Sequence, residues 1–104
     1  MAGALLAATN AFDTDAAVAL FAPDAIIDDP STGERFIGQE GVREYVERFF
    51  LGYHTVSLLL SVTPIEDGRA RARVDFTGDF GHEIGRLDLT AADGLITRID
   101  ADLE

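Results

Sequence analysis

The sequence predicts an α+β domain, about three N-terminal helices packed on one face of an antiparallel sheet. Apolar residues recur at helical spacing as far as residue 50, and from Val56 onward they alternate with a period of two. The order of the two patterns, helices first and turn-linked strands after, separates the layers instead of interleaving them. A chain of 104 residues supports one hydrophobic core, so residues 1–104 are read as a single domain.

Leu5, Leu6 and Thr9 are spaced for one face of a first helix. Asp13 suits an N-cap, and Ala17, Leu20 and Phe21 then share a face until Pro23 ends the run. "AIIDDPSTGERF" (25–36) reads as a strand running into paired carboxylates and a proline turn. In "QEGVREYVERFFLG", Val42, Tyr45, Val46, Phe49 and Phe50 form one apolar stripe, Glu44 and Arg48 pair at i,i+4, and Gly52 supplies the stop.

After His54, Val56, Leu58, Leu60 and Val62 alternate with Ser57, Leu59, Ser61 and Thr63. "EDG" turns the chain, and Ala70, Ala72, Val74 and Phe76 then alternate with three arginines and an aspartate. A strand through Leu87 and Leu89, the turn "AADG", and a strand through Leu95, Thr97, Ile99 and Ala101 complete the sheet. The polar face of strand 55–63 is small and weakly polar rather than charged, which suits burial against a second copy. A homodimer through the outer sheet face is therefore expected, with Arg69, Arg71 and Arg73 either solvated or facing a partner's carboxylates.

Composition narrows the function. Eight basic against 19 acidic residues give a net charge of −11, which repels phosphate backbones, so no nucleic-acid partner is expected. No apolar run approaches the roughly 20 residues that span a bilayer, and "MAGALLAATNAF" reads as structure rather than a signal. Without cysteine there is no disulfide, thiolate metal site or cysteine nucleophile, and the expected compartment is the cytoplasm. No histidine or carboxylate spacing suggests a metal, and no motif suggests a cofactor. "DFG" at 79–81 lacks every companion of a kinase motif.

The segment "AVALFAPDAIIDDPSTGERFIGQEGVREYV", with the closing "DGLITRIDADL", resembles the SnoaL-like, ketosteroid-isomerase-like branch of the nuclear-transport-factor-2-like (cystatin-like) superfamily. The resemblance covers nearly the whole chain and implies a cone: a curved sheet wrapped round helices, with an apolar pocket at one end. It also implies that Asp29, the aspartate before the proline, is a general base at the pocket mouth. The isomerases' tyrosine and protonated aspartate would fall at Leu5 and near Gly85, and neither residue donates a side-chain hydrogen bond. Losing one such donor typically costs about 10²–10³ in rate, which argues against steroid isomerisation.

Asp29 thus has two readings, a solvated turn carboxylate or cap, and a group at a pocket mouth. Asp28, its neighbour in the strand, should face the other way. His54 and His82 are most simply structural or surface histidines, and Tyr45 belongs to the core stripe. His82 and Tyr53 are weaker catalytic candidates beside Asp29. Leu58, Leu60, Val74, Phe76, Phe80, Leu87 and Ile99 are candidates to line a ligand pocket or to fill it. The expectation is a protein that binds a small hydrophobic molecule. The alternative is an isomerase, cyclase or hydratase using Asp29 on a carbonyl or polyketide-like substrate.

Overall fold

Asp13 caps its helix, its side chain accepting a hydrogen bond from the Ala16 amide at 3.0 Å. The computed structural model describes residues 1–104. Along the chain stand α1 (Ala2–Asn10), α2 (Thr14–Val18), β1 (Phe21–Asp29), β2 (Glu34–Ile37) and α3 (Gly38–Val46). A π-helical turn (Glu47–Leu51) leads on to β3 (Val56–Glu66), β4 (Arg69–Gly78), β5 (Gly81–Ala92) and β6 (Leu95–Leu103). The strands form one curved six-stranded sheet in the order β2-β1-β6-β5-β4-β3.

Side chains that meet across the ladder explain the two faces. On the inner face Ile27 stands opposite Ile99, Ile99 opposite Leu89, and Leu87 opposite Ala72 and Ala101. All are buried, and the helices add Leu5, Leu6, Val42 and Val46 to the same core. The outer face is a lattice of ion pairs: Arg35 with Asp28, Arg98 with Asp28 and Asp100, Arg71 with Asp88, Arg73 with Glu104. Asp28 therefore does face away from the core.

Several expectations need correction. Only two helices precede the sheet; α3 follows β1 and β2. Helix α2 stops at Val18, so Phe21 and Pro23 lie in β1. Pro23 is tolerated there because the β1–β6 register shifts between Phe21 and Ile26, where the missing amide costs no ladder bond. The sheet is not wholly antiparallel, since β1 runs parallel to β6. Gly52 is right-handed (φ −60°) and is needed for space: a Cβ there would lie 2.5 Å from the Arg48 carbonyl oxygen. The left-handed residue that turns the chain is His54 (φ 53°).

The faces of β3 are also reversed from expectation. Val56 and Leu58 point outward, opposite Thr77 and Asp75, while Ser57 and Leu59 face inward, opposite Phe76 and Val74. Helix α1 sets this register. The Asn10 side chain donates to the Ser57 carbonyl at 2.8 Å and accepts from the Ser57 amide at 2.7 Å, capping the strand's free edge at a residue small enough for the helix to approach. A bulge at Leu60 then breaks the alternation, so Val62 returns to the inner face opposite Ala72.

Candidate functional site

Alternation along β1 buries Ile27, exposes Asp28 and turns Asp29 inward, leaving it 7% exposed. Pro30 follows, and the chain turns at once. The Ser31 amide and hydroxyl donate to Asp29 Oδ1 at 3.1 and 2.6 Å, and the Thr32 amide and hydroxyl donate to the Asp29 carbonyl at 3.0 and 2.8 Å. The second carboxylate oxygen, Oδ2, accepts from the Tyr45 hydroxyl at 2.7 Å. The two readings of Asp29 are thus compatible. It caps its own turn, and it also faces inward.

Burial holds the Tyr45 phenol well above its ordinary pKa, and the adjacent Asp29 charge and hydrogen bond push it further. Tyr45 therefore stays protonated and remains a donor. It comes from α3, and beyond it the π-helical turn widens the backbone, with the Gly52 amide donating to the Glu47 carbonyl and the Thr55 amide to the Phe50 carbonyl.

An open cavity of about 290 Å³ lies over this carboxylate. Its apolar wall is mostly aromatic, with Tyr45, Phe49, Phe50, Tyr53, Phe76 and Phe80 beside a single aliphatic residue, Leu103. The rings form a chain, with centroids 5.1 Å apart for Tyr45–Phe49, 6.2 Å for Phe49–Tyr53 and 6.0 Å for Tyr53–Phe80, the last pair nearly perpendicular. Its two charged lining residues are Asp29 and Glu83.

The structure brings Asp29, Tyr53, Phe76 and Phe80 together at this cavity and separates them from the remaining candidates. Leu58 and Leu60 are exposed on or beside the outer face and line no cavity, for the register reason given above. Val74 is fully buried, and Leu87 and Ile99 border only a void of about 20 Å³ inside the core. His82 lies outside the aromatic cavity. Its Nε2 approaches Asp75 Oδ1 to 2.6 Å without the alignment of a hydrogen bond. Sequence reasoning missed Phe49 and Phe50 as cavity residues and read Tyr45 as core. The signal was present in "YVERFFLGY", whose aromatics at 45, 49, 50 and 53 keep to one side of a helix.

The two positions where an isomerase would keep its donors are closed. Leu5 is packed in the core. At Gly85 a Cβ would meet Phe76 Cε2 at 2.9 Å and the Asp102 carbonyl oxygen at 3.0 Å, so the Phe76 ring occupies the space a side chain would need.

A curved sheet over helices, with a cavity at one end of the cone, defines the nuclear-transport-factor-2-like class. Within it, this chain belongs to the SnoaL-like domain family, whose pattern matches residues 2–99. Solved structures agree. A provisionally assigned polyketide cyclase from Sinorhizobium meliloti is 26% identical with a TM-score of 0.84, covering 92% of this chain and 87% of its own. A Mycobacterium tuberculosis protein in complex with estradiol-17β-hemisuccinate is 17% identical (TM-score 0.82; 96% and 88% covered). A Catenulispora acidiphila protein of ketosteroid isomerase-like fold, in complex with trimethylamine, is 15% identical (TM-score 0.85; 96% and 82% covered). At such identities the last two speak for the fold. No curated protein matches the chain in sequence.

Proposed function

We propose that this chain binds a small hydrophobic molecule in the aromatic cavity beside Asp29, without ketosteroid isomerase chemistry. The observation that carries this reading is the state of Asp29, whose oxygens already accept three hydrogen bonds from Ser31 and Tyr45. A general base needs a lone pair aimed at substrate, and three of the roughly four acceptor directions of this carboxylate are already taken by the protein itself. At about 290 Å³ the cavity sits at the small end of the roughly 300–1,000 Å³ typical of ligand sites. That the M. tuberculosis and C. acidiphila proteins of this fold are in complex with small molecules is in keeping with a small-molecule ligand here.

One observation favours the enzymatic alternative: Asp29 borders the cavity next to a phenol that stays protonated. Movement of Tyr45 toward a ligand would free Oδ2 to take a proton from a carbonyl or polyketide-like substrate. The two readings separate in one experiment, with small hydrophobic ketones titrated while proton exchange next to the carbonyl is followed. Binding with exchange at the background rate supports the binding reading. Exchange that Asp29→Asn abolishes establishes the enzyme instead.

The same proposal includes a homodimer through the outer sheet face, where Val56 and Leu58 stand 54% and 62% exposed. Cysteine-free composition fits a cytoplasmic site of action. No helix is long and apolar enough to cross a membrane.

A further inference from the structure

The polar groups of the aromatic cavity are almost all acceptors. Of its five hydroxyls, four spend their hydrogens on the protein: Tyr45 and Ser31 on the Asp29 carboxylate, Thr32 on the Asp29 carbonyl, Thr55 on the Phe49 carbonyl. Only the Tyr53 hydroxyl is uncommitted. No arginine or histidine lines the cavity, and the chain has no lysine. A ligand entering there meets oxygen lone pairs, ring faces and two carboxylates.

The charges elsewhere deepen this asymmetry. All eight arginines are engaged in ion pairs. Arg48 stacks 5.0 Å from the centroid of the cavity residue Phe49 and is neutralised by Glu34 at 2.8 Å and Glu44 at 3.6 Å. Glu83 has no ion-pair partner and stands exposed at the cavity, with its charge uncompensated. Aromatic faces carry negative quadrupole potential and attract a desolvated cation. A carbonyl or carboxylate ligand would find one free hydroxyl and two like charges.

Resting on the reading of the cavity as a small-ligand site, we propose that its ligand is a small alkylated ammonium ion. Such an ion places alkyl groups on Tyr53, Phe80 and Phe49 while its charge faces Asp29 and Glu83. The protein's net charge of −11 draws the same class of molecule toward the mouth.

Choline and its uncharged carbon isostere, 3,3-dimethylbutan-1-ol, have nearly the same shape and differ in charge. Titrated calorimetrically into the intact chain at low ionic strength, choline is expected to bind at least tenfold more tightly. Added salt should narrow that gap. Glu83→Gln and Phe80→Leu, both at exposed positions, should each reduce the preference several-fold. Equal or tighter binding of the alcohol overturns the cation and leaves the hydrophobic-ligand reading standing. Binding of neither molecule removes both. A preference that survives intact in both variants puts the cation elsewhere and also overturns the proposal.

Discussion

Tyr45 donates its hydroxyl hydrogen to Asp29 across 2.7 Å at the wall of the aromatic cavity, joining α3 to the end of β1. Tyr45→Phe keeps the ring and removes the donor. Asp29 then retains only Ser31, and a hydrogen bond to a charged group is worth about 1.5–3 kcal/mol. Asp29→Asn weakens the same contact from the other side. Urea unfolding of the two single variants and the double variant should give a favourable coupling of about 0.5–3 kcal/mol. Strict additivity would mean that the two side chains act independently.

The pH dependence follows from the same pair and from the outer ion lattice. Tyr45 binds its proton more tightly folded than unfolded, so the stability it lends is whole below about pH 10, the ordinary phenol value, and is lost as pH rises beyond it. Asp88 and Glu104 are held below their ordinary values by hydrogen bonds from Arg71 and Arg73. Their contribution is present above about pH 4 and is lost as pH falls through the lowered values. Melting temperature plotted against pH should therefore decline at both ends. Tyr45→Phe should flatten the alkaline limb and leave the acid limb in place.

Local periodicity was enough to read α3, β4 and β5, where each residue's face follows from its neighbours' spacing. In β6 a register shift instead buries Ile96, rather than Leu95 and Thr97, alongside Ile99 and Ala101. Nor could periodicity assign the faces of β3, because Val56, Leu58, Leu60 and Val62 alternate identically whichever side is buried. The contact that decides, Asn10 with Ser57, spans 47 residues. The parallel pairing of β1 with β6 joins opposite ends of the chain and leaves no local trace. Asp29 was legible because a carboxylate between a strand and a proline is costly to bury without partners. Its partner Tyr45 was hidden in a helical stripe that looks the same whether it packs a core or walls a cavity.

Asn10 supplies both halves of a backbone-like pairing to the free edge of β3. Asn10→Ala should strand the Ser57 amide and carbonyl in a partly buried position. The expected loss is about 1–3 kcal/mol, with faster hydrogen exchange at the Ser57 amide. An unchanged exchange rate would show that the edge is held by other contacts.

Gly85 tests whether the absent donor can be restored. The Phe76 ring and a backbone carbonyl come within 3.0 Å of the point an alanine methyl would occupy. Gly85→Ala should therefore cost about 1–3 kcal/mol through overpacking. Gly85→Asp should cost more and still confer no isomerisation of a β,γ-unsaturated ketosteroid. Robust turnover by Gly85→Asp would mean that Phe76 yields readily and that the isomerase machinery is one residue from completion.

Leu58 and Val56 stand on the outer face of β3, and Leu58 lies opposite Asp75, which lies opposite Ile84 on β5, so apolar side chains flank a carboxylate beside the ion lattice. Buried against a second copy, Leu58 would contribute on both sides of the interface, since a two-fold contact uses each residue twice. Leu58→Asp sets a carboxylate near Asp75 and, in a dimer, near its symmetry mate. Because Leu58 is 62% exposed, the substitution should leave the fold of each protomer intact. Light scattering should find the unaltered chain at twice the monomer mass at tens of micromolar and Leu58→Asp at the monomer mass, with the same circular dichroism spectrum. A wild-type monomer at that concentration would refute the dimer. A dimer that survives Leu58→Asp would move the interface off this face.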